Sequence, residues 1–201
     1  MRYFLLAIVV LLTSTLSYPA VAEVKPGDVA PDFQLQSSVG KTHSLSEYKG
    51  KWVVLEWTNY ECPFVRKFYG SRKMQELQKT YTGKGVVWLQ INSSASGKQG
   101  DFTPAEIVRR SGEWKTASTA YLIDEDGKVG RMYDARTTPT IVIISPEGKI
   151  VYHGAIDSIP STDTDDISKA DNYVEKTFSE VFAGKPVKVA TTRSYGCGIK
   201  Y

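Results

Sequence analysis

The segment Trp52-Val53-Val54-Leu55-Glu56-Trp57 constrains the fold more than any other. Six almost continuously apolar residues suit a strand buried on both faces, and strands of that kind belong to sheets covered by helices on either side. Val86 to Ile91 has the same character, and Thr140-Ile141-Val142-Ile143-Ile144 is the strongest β signal in the chain. A turn at Pro146-Glu147-Gly148 leads from that run into Lys149-Ile150-Val151-Tyr152-His153, so these two strands must be antiparallel neighbours. Near the start, Phe33-Gln34-Leu35 and Thr42-His43-Ser44-Leu45 flank Val39-Gly40-Lys41 as a short hairpin.

Helical stretches alternate with the strands. Val65, Phe68, Tyr69, Leu77 and Tyr81 fall near helical spacing, and Gly83 supplies a stop. Thr103-Pro104-Ala105-Glu106 forms a capping box with proline at the first helical position, which predicts a helix through about Arg110. Ala120 to Ile123 reads as a short strand and Lys128 to Tyr133 as a short helix. A last amphipathic helix runs from about Ala170 to Phe182, with Val174, Phe178, Val181 and Phe182 on its apolar side and Gly184 and Pro186 ending it. The expected class is α/β: a central mixed sheet flanked by helices, with an N-terminal β-hairpin and an extended C-terminal tail.

Composition narrows the function classes. A chain of 201 residues that is 41% hydrophobic and 23% charged suits one globular domain and excludes disorder or a disulfide-dense miniprotein. The net charge of +3 comes from 25 basic and 22 acidic residues that are interspersed, so no basic face for nucleic acid is expected. Residues 1–22 stand apart: Arg2, the apolar run Phe4 to Leu12, and Ala20-Val21-Ala22 describe a cleavable signal peptide. An uncleaved anchor is the alternative, but a span needs about 20 predominantly apolar residues, and Thr13, Ser14, Thr15, Ser17 and Pro19 interrupt this run. The expected organisation is a signal peptide over 1–22, a domain over 23–184 and a tail over 185–201 carrying Cys197, in a protein exported to the periplasm or outside the cell. No stable membrane insertion is expected after signal cleavage.

Export changes what the two cysteines mean, because a pair in an oxidising compartment usually ends as a disulfide. Cys62 lies where a buried strand has ended and a helix begins, with Pro63 suited to the first turn. Such a position aims free N–H groups and the helix dipole at the sulfur, and Arg66 and Lys67 add positive charge one turn along, which favours a thiolate. The bland reading is a core cysteine or half of an inert bridge. A second element, Thr137-Thr138-Pro139-Thr140, precedes the most apolar strand. Were the Thr138–Pro139 bond cis, this turn would offer free backbone groups to whatever approached; an ordinary trans proline starting a strand is the other reading.

Strand, Cys-Pro, helix, then Thr-Pro, strand, hairpin and terminal helix resemble the thioredoxin fold in its peroxiredoxin-like (redoxin) branch. Gly27-Asp28-Val29-Ala30-Pro31-Asp32-Phe33 is similar to the opening of alkyl hydroperoxide reductase/thiol-specific antioxidant proteins. Asn59-Tyr60-Glu61-Cys62-Pro63-Phe64-Val65 resembles the Asn-x-x-Cys-Pro-x-Val of a group of peroxiredoxin-like proteins, and Gly196-Cys197-Gly198-Ile199-Lys200-Tyr201 resembles their Gly-Cys-x-Ile-Lys-aromatic ending. The resemblance spans about Gly27 to Tyr201 and implies that Pro139 is a cis-proline beside the reactive sulfur. Three departures qualify it. Val65 stands where thioredoxins carry a second cysteine, so a local dithiol cycle is impossible. Asn59 and Leu55 replace the Thr or Ser and the Pro of typical peroxiredoxins, and Thr137 occupies a place where related sequences often have cysteine.

Cys197 is then the one intramolecular partner for Cys62, and a tail that stretches to about 40 Å at roughly 3.3 Å per residue would let it swing in to resolve a mixed disulfide or sulfenic acid. The expected function is a thiol-dependent oxidoreductase with catalytic Cys62 and Cys197, acting in thiol–disulfide exchange or peroxide reduction. Asn59, Pro63, Thr138, Pro139 and Arg136 are candidates to bind substrate or stabilise the thiolate. The expected partners are a thiol reductant, a disulfide-bearing protein or a hydroperoxide; no cofactor or metal is expected, since His43 and His153 lack metal-ligand spacing to Cys62. The alternative is a non-catalytic binding or structural module stapled by a Cys62–Cys197 bridge worth about 4–5 kcal/mol on the chain-entropy account. Asn92-Ser93-Ser94 also fits a glycosylation sequon, a pattern that arises often by chance.

Overall fold

A computed structural model describes residues 24–201, so the signal peptide expected over 1–22 lies outside the described residues. The hairpin is β1 (Gln34–Ser37) with β2 (Thr42–Ser44). There follow β3 (Val53–Trp57), α1 (Pro63–Gly70), α2 (Lys73–Thr82), β4 (Val87–Asn92) and α3 (Pro104–Trp114). Next come β5 (Ala120–Ile123), α4 (Lys128–Met132), β6 (Thr137–Thr138), β7 (Thr140–Ile144) and β8 (Ile150–Gly154), and then α5 (Tyr173–Phe182) and β9 (Cys197–Gly198). One sheet has the order β2-β1-β5-β4-β3-β7-β8. It is mixed: β3 is parallel to β4 and antiparallel to β7, and β4 is parallel to β5. β6 and β9 form a separate two-stranded ribbon.

The two-sided burial expected of β3 is what the sheet requires. Val53, Leu55 and Trp57 enter one apolar core with Leu89, Ile91, Leu122 and Tyr133, while Val54 enters the other with Phe68, Trp88, Ile141 and Phe178. The helix expected between Cys62 and Gly83 is two helices. Ser71 Oγ donates to the Phe68 carbonyl at 3.1 Å, Gln75 Nε2 takes the Tyr69 carbonyl at 2.9 Å, and the chain passes through left-handed Arg72 before α2 begins. Side chains that claim the carbonyls of a last turn end a helix in this way. α3 runs to Trp114, beyond Arg110, with Glu106–Arg110 and Arg109–Glu113 pairs along its surface. Half of its capping box forms: Glu106 N–H donates to Thr103 Oγ1 at 3.3 Å, while the Glu106 carboxylate turns to Arg110. α5 starts three residues later than expected, because Asn172 caps it by accepting from Glu175 N–H at 3.0 Å.

Glu56 is the exception in β3: it is fully buried yet polar. Its carboxylate accepts from Tyr69 Oη at 2.7 Å, Trp88 Nε1 at 2.7 Å and Gln78 Nε2 at 3.1 Å, so three elements converge on it. Burial nevertheless outweighs these donors and pushes its pKa up to about 7. A carboxyl whose pKa is raised on folding favours the folded state fully below its unfolded value and loses that contribution as pH climbs through the folded one. Urea unfolding should therefore show stability falling between about pH 5 and pH 8 by on the order of 3 kcal/mol, and Glu56→Gln should flatten that slope.

Candidate active site

The register of the sheet builds the site. Trp57 at the end of β3 pairs with Thr140 at the start of β7, so the loop leaving β3 meets the turn entering β7. In that loop Cys62 N–H donates to the Asn59 carbonyl at 2.9 Å, and Cys62 becomes the N-cap of α1 with Pro63 at the first position. The turn across from it carries a cis Thr138–Pro139 bond. The Cys62 thiol makes no capping bond to its own helix; it donates to the Thr138 carbonyl at 3.1 Å.

The tail does not hang free. His153 N–H donates to the Ala190 carbonyl at 3.0 Å and Thr192 N–H to the His153 carbonyl at 3.1 Å, which covers part of the outer edge of β8. The chain then crosses to β6, where β9 pairs antiparallel with Thr138 opposite Cys197 and Thr137 opposite Gly198. Gly196 makes this approach possible: its φ is +130°, and a Cβ there would lie 2.0 Å from the Thr138 carbonyl oxygen. Cys197 is consequently seated on Cys62 already, and no swing is needed to bring them together. Both are thiols in the structure, and Cys197 packs against the apolar cluster that contains Cys62. Burial first, then the neighbouring Cys62 side chain, push the Cys197 thiol up to about 12. Cys62 is 0% exposed and Cys197 is partly exposed.

The other expected residues divide. Pro63, Thr138 and Pro139 adjoin the thiols, and the Thr138 hydroxyl is buried without a hydrogen-bond partner. Asn59 is buried, but its amide serves the loop: Oδ1 accepts from Glu61 N–H at 2.9 Å and Nδ2 donates to the Gln99 carbonyl at 3.3 Å. The Arg136 guanidinium is 73% exposed and pairs with Asp134, while its carbonyl accepts Ile199 N–H beside the ribbon. Lys67 does not act as a free charge near the sulfur. It is buried with Asp157, 3.4 Å from Oδ2, and donates to the Ile159 carbonyl. Asn92 of the sequon is also buried, its amide donating to the Gly100 carbonyl at 2.6 Å.

Sequence reasoning gave no role to Asp157, Tyr195 or Tyr201. Asp157 accepts from Lys67 of α1 and from Tyr195 Oη of the tail, so one carboxylate joins the two cysteine-bearing segments. Tyr201 Oη donates to the Ala135 carbonyl at 2.5 Å, and its ring lies under the Arg131 guanidinium at 4.3 Å. The signal for these anchors was an aromatic on each side of Cys197.

Residues 26–153 match the model of the AhpC/TSA family. That range contains Cys62 and Pro139 and stops short of Cys197. The thiol-disulfide oxidoreductase ResA of Geobacillus thermodenitrificans is 29% identical over 151 residues, which is 71% of this chain and 80% of that protein. A hypothetical protein of Sinorhizobium meliloti superposes with a TM-score of 0.74 at 23% identity, over 90% of this chain and 96% of that one. The thioredoxin domain of a thiol-disulfide oxidoreductase from Bacteroides vulgatus superposes with a TM-score of 0.52 at 21% identity, over 73% of this chain and 98% of that one. These neighbours bear out the thioredoxin-like fold.

Removing one member of a buried ion pair strands the other, at a cost of about 3–5 kcal/mol. Asp157→Ala should lose stability of that order in urea unfolding, and the double variant Lys67→Met/Asp157→Leu should recover much of it.

Proposed function

The chain belongs to the AhpC/TSA family and is a thiol-disulfide oxidoreductase of the redoxin class, and within that class we propose that Cys62 and Cys197 are its redox pair. The observation that carries this reading is Cys197 packed beside Cys62 at the start of α1, with Thr138 bridging both. Cys62, as the thiolate, attacks a partner disulfide and forms a mixed disulfide, releasing one partner thiolate. Cys197 then attacks the Cys62 sulfur, the Cys62–Cys197 bond forms, and the second partner thiolate leaves. A dithiol reductant returns the pair to thiols by the reverse exchange.

The roles follow from position. Cys197 stays a thiol at neutral pH because its pKa is pushed up to about 12, which leaves Cys62 as the first nucleophile. The Thr138 hydroxyl, opposite Cys197 on the ribbon and without a partner, is available to a sulfur-bound intermediate. Disulfide exchange is favoured over peroxide reduction because the Asn59 amide is engaged with Glu61 and Gln99. The substrates are disulfide-bearing proteins, and export through residues 1–22 would set them outside the cytosol; the tripartite pattern of that segment supports export.

Burial of Cys62 favours a second reading, a non-catalytic module in which the two cysteines staple the tail. Insulin-disulfide reduction separates the two. Wild type should reduce insulin with a dithiol reductant, Cys62→Ser should abolish turnover, and Cys197→Ser should accumulate a mixed disulfide on Cys62. Inactive wild-type protein would leave the staple. In rapid mixing, closure of the Cys62–Cys197 bond should keep accelerating above neutral pH, about tenfold per unit while Cys197 remains mostly protonated.

A further inference from the structure

The β6–β9 ribbon has two residues on each side, too few to hold a chain segment by backbone pairing alone. Cys197 is nonetheless held on Cys62, so its position comes from outside the ribbon. Two tyrosines flank it. Tyr195, two residues before Cys197, donates to Asp157, whose other oxygen accepts Lys67 of α1, and its ring meets Phe64 of α1 edge-on at 5.8 Å. This anchor is therefore fixed to the helix that begins at Cys62. Tyr201, four residues after Cys197, fills a slot on α4 that exists because Gly127 and Gly130 lack side chains. A Cβ on Gly127 would lie 2.4 Å from its ring, and one on Gly130 would lie 2.4 Å from its hydroxyl. The Ala135 carbonyl accepts that hydroxyl, and Ala95 N–H donates to the Lys200 carbonyl at 2.8 Å beside it.

We infer that Tyr195 and Tyr201 are positioning residues that hold Cys197 on Cys62. The inference takes its functional meaning from the redox pairing proposed above. A thiol on a flexible tail meets its partner at an effective concentration of about millimolar. A thiol clamped at both sides meets it at a much higher one, so closure of the disulfide wins over release of a mixed disulfide to solvent. The clamp also accounts for how a buried Cys62 is kept covered: Cys197 packs on the same apolar cluster as Cys62, and the tyrosines keep it there.

Equilibration with glutathione reads the clamp. Two protein thiols and one glutathione disulfide give the Cys62–Cys197 bond and two glutathione thiols, and the equilibrium constant is the effective concentration of the pair. Tyr201→Ala, and separately Gly130→Ala, which fills the slot and leaves the tail intact, should each lower that constant about tenfold or more. Tyr201→Phe keeps the ring and should restore most of it, and Tyr195→Phe should fall between wild type and Tyr201→Ala. Constants unchanged in both Tyr201→Ala and Gly130→Ala, with wild-type circular dichroism, would overturn the clamp and leave the redox pair standing. A stop codon in place of Tyr201 repeats the test if Gly130→Ala fails to fold. Should wild type form no Cys62–Cys197 bond, the redox pairing fails, and the anchors are judged by alkylation of Cys62 in a Cys197→Ser background. Faster alkylation with Tyr201→Ala supports them, and an unchanged rate refutes them.

Discussion

Thr138 is the residue on which the two cysteines converge. Its carbonyl receives the Cys62 thiol and its strand pairs with Cys197, so one stretch of backbone sets the position of both sulfurs. The rest of the sheet works to hold that stretch still. β7, itself buried throughout, begins one residue after Pro139 and runs antiparallel to β3, which fixes Thr138 relative to the end of β3 and hence to the loop that carries Cys62. A small shift in the β3–β7 register would move one sulfur away from the other.

The two faces of β3 serve different ends. One side is filled almost wholly by apolar groups such as Leu55, Trp57 and Leu89. The other holds Cys62 itself, the buried Glu56 with its three donors, and the Lys67–Asp157 pair behind α1. Buried polar groups cost stability unless their partners are in place, and in return they demand particular partners. Placing them beneath and beside α1 makes the orientation of the cysteine-bearing helix depend on directional bonds rather than on apolar packing alone.

Much of this was legible in the sequence, because the informative features are local. The apolar runs of β3, β4 and β7, the Cys62-Pro63 junction and the hairpin from β7 to β8 are each visible within a few residues. Most of what was not legible is long-range. A two-residue strand such as β9 has no periodicity to detect, and its partner lies about sixty residues away. Lys67 looks like any surface cation one turn into a helix until Asp157, ninety positions on, is seen beside it. The break at Arg72 depends on Ser71 and Gln75 turning back on the last carbonyls of α1, which helical spacing of apolar residues does not reveal. The tail was read as a reach of chain, and its docking depends on glycines at the start of and within α4 that have no sequence relation to it.

The tail's place after every other element of the site also sets the order in which the site is made. Synthesis runs from the N terminus, so the sheet, α1 and the Thr138–Pro139 turn are all available to fold before residues 195–201 emerge. Until those residues emerge, Cys62 lacks the cover that Cys197 provides and the anchor that Tyr201 supplies. The nascent protein thus passes through an interval in which its nucleophile has no second thiol beside it, and only the emergence of residues 195–201 completes the pair.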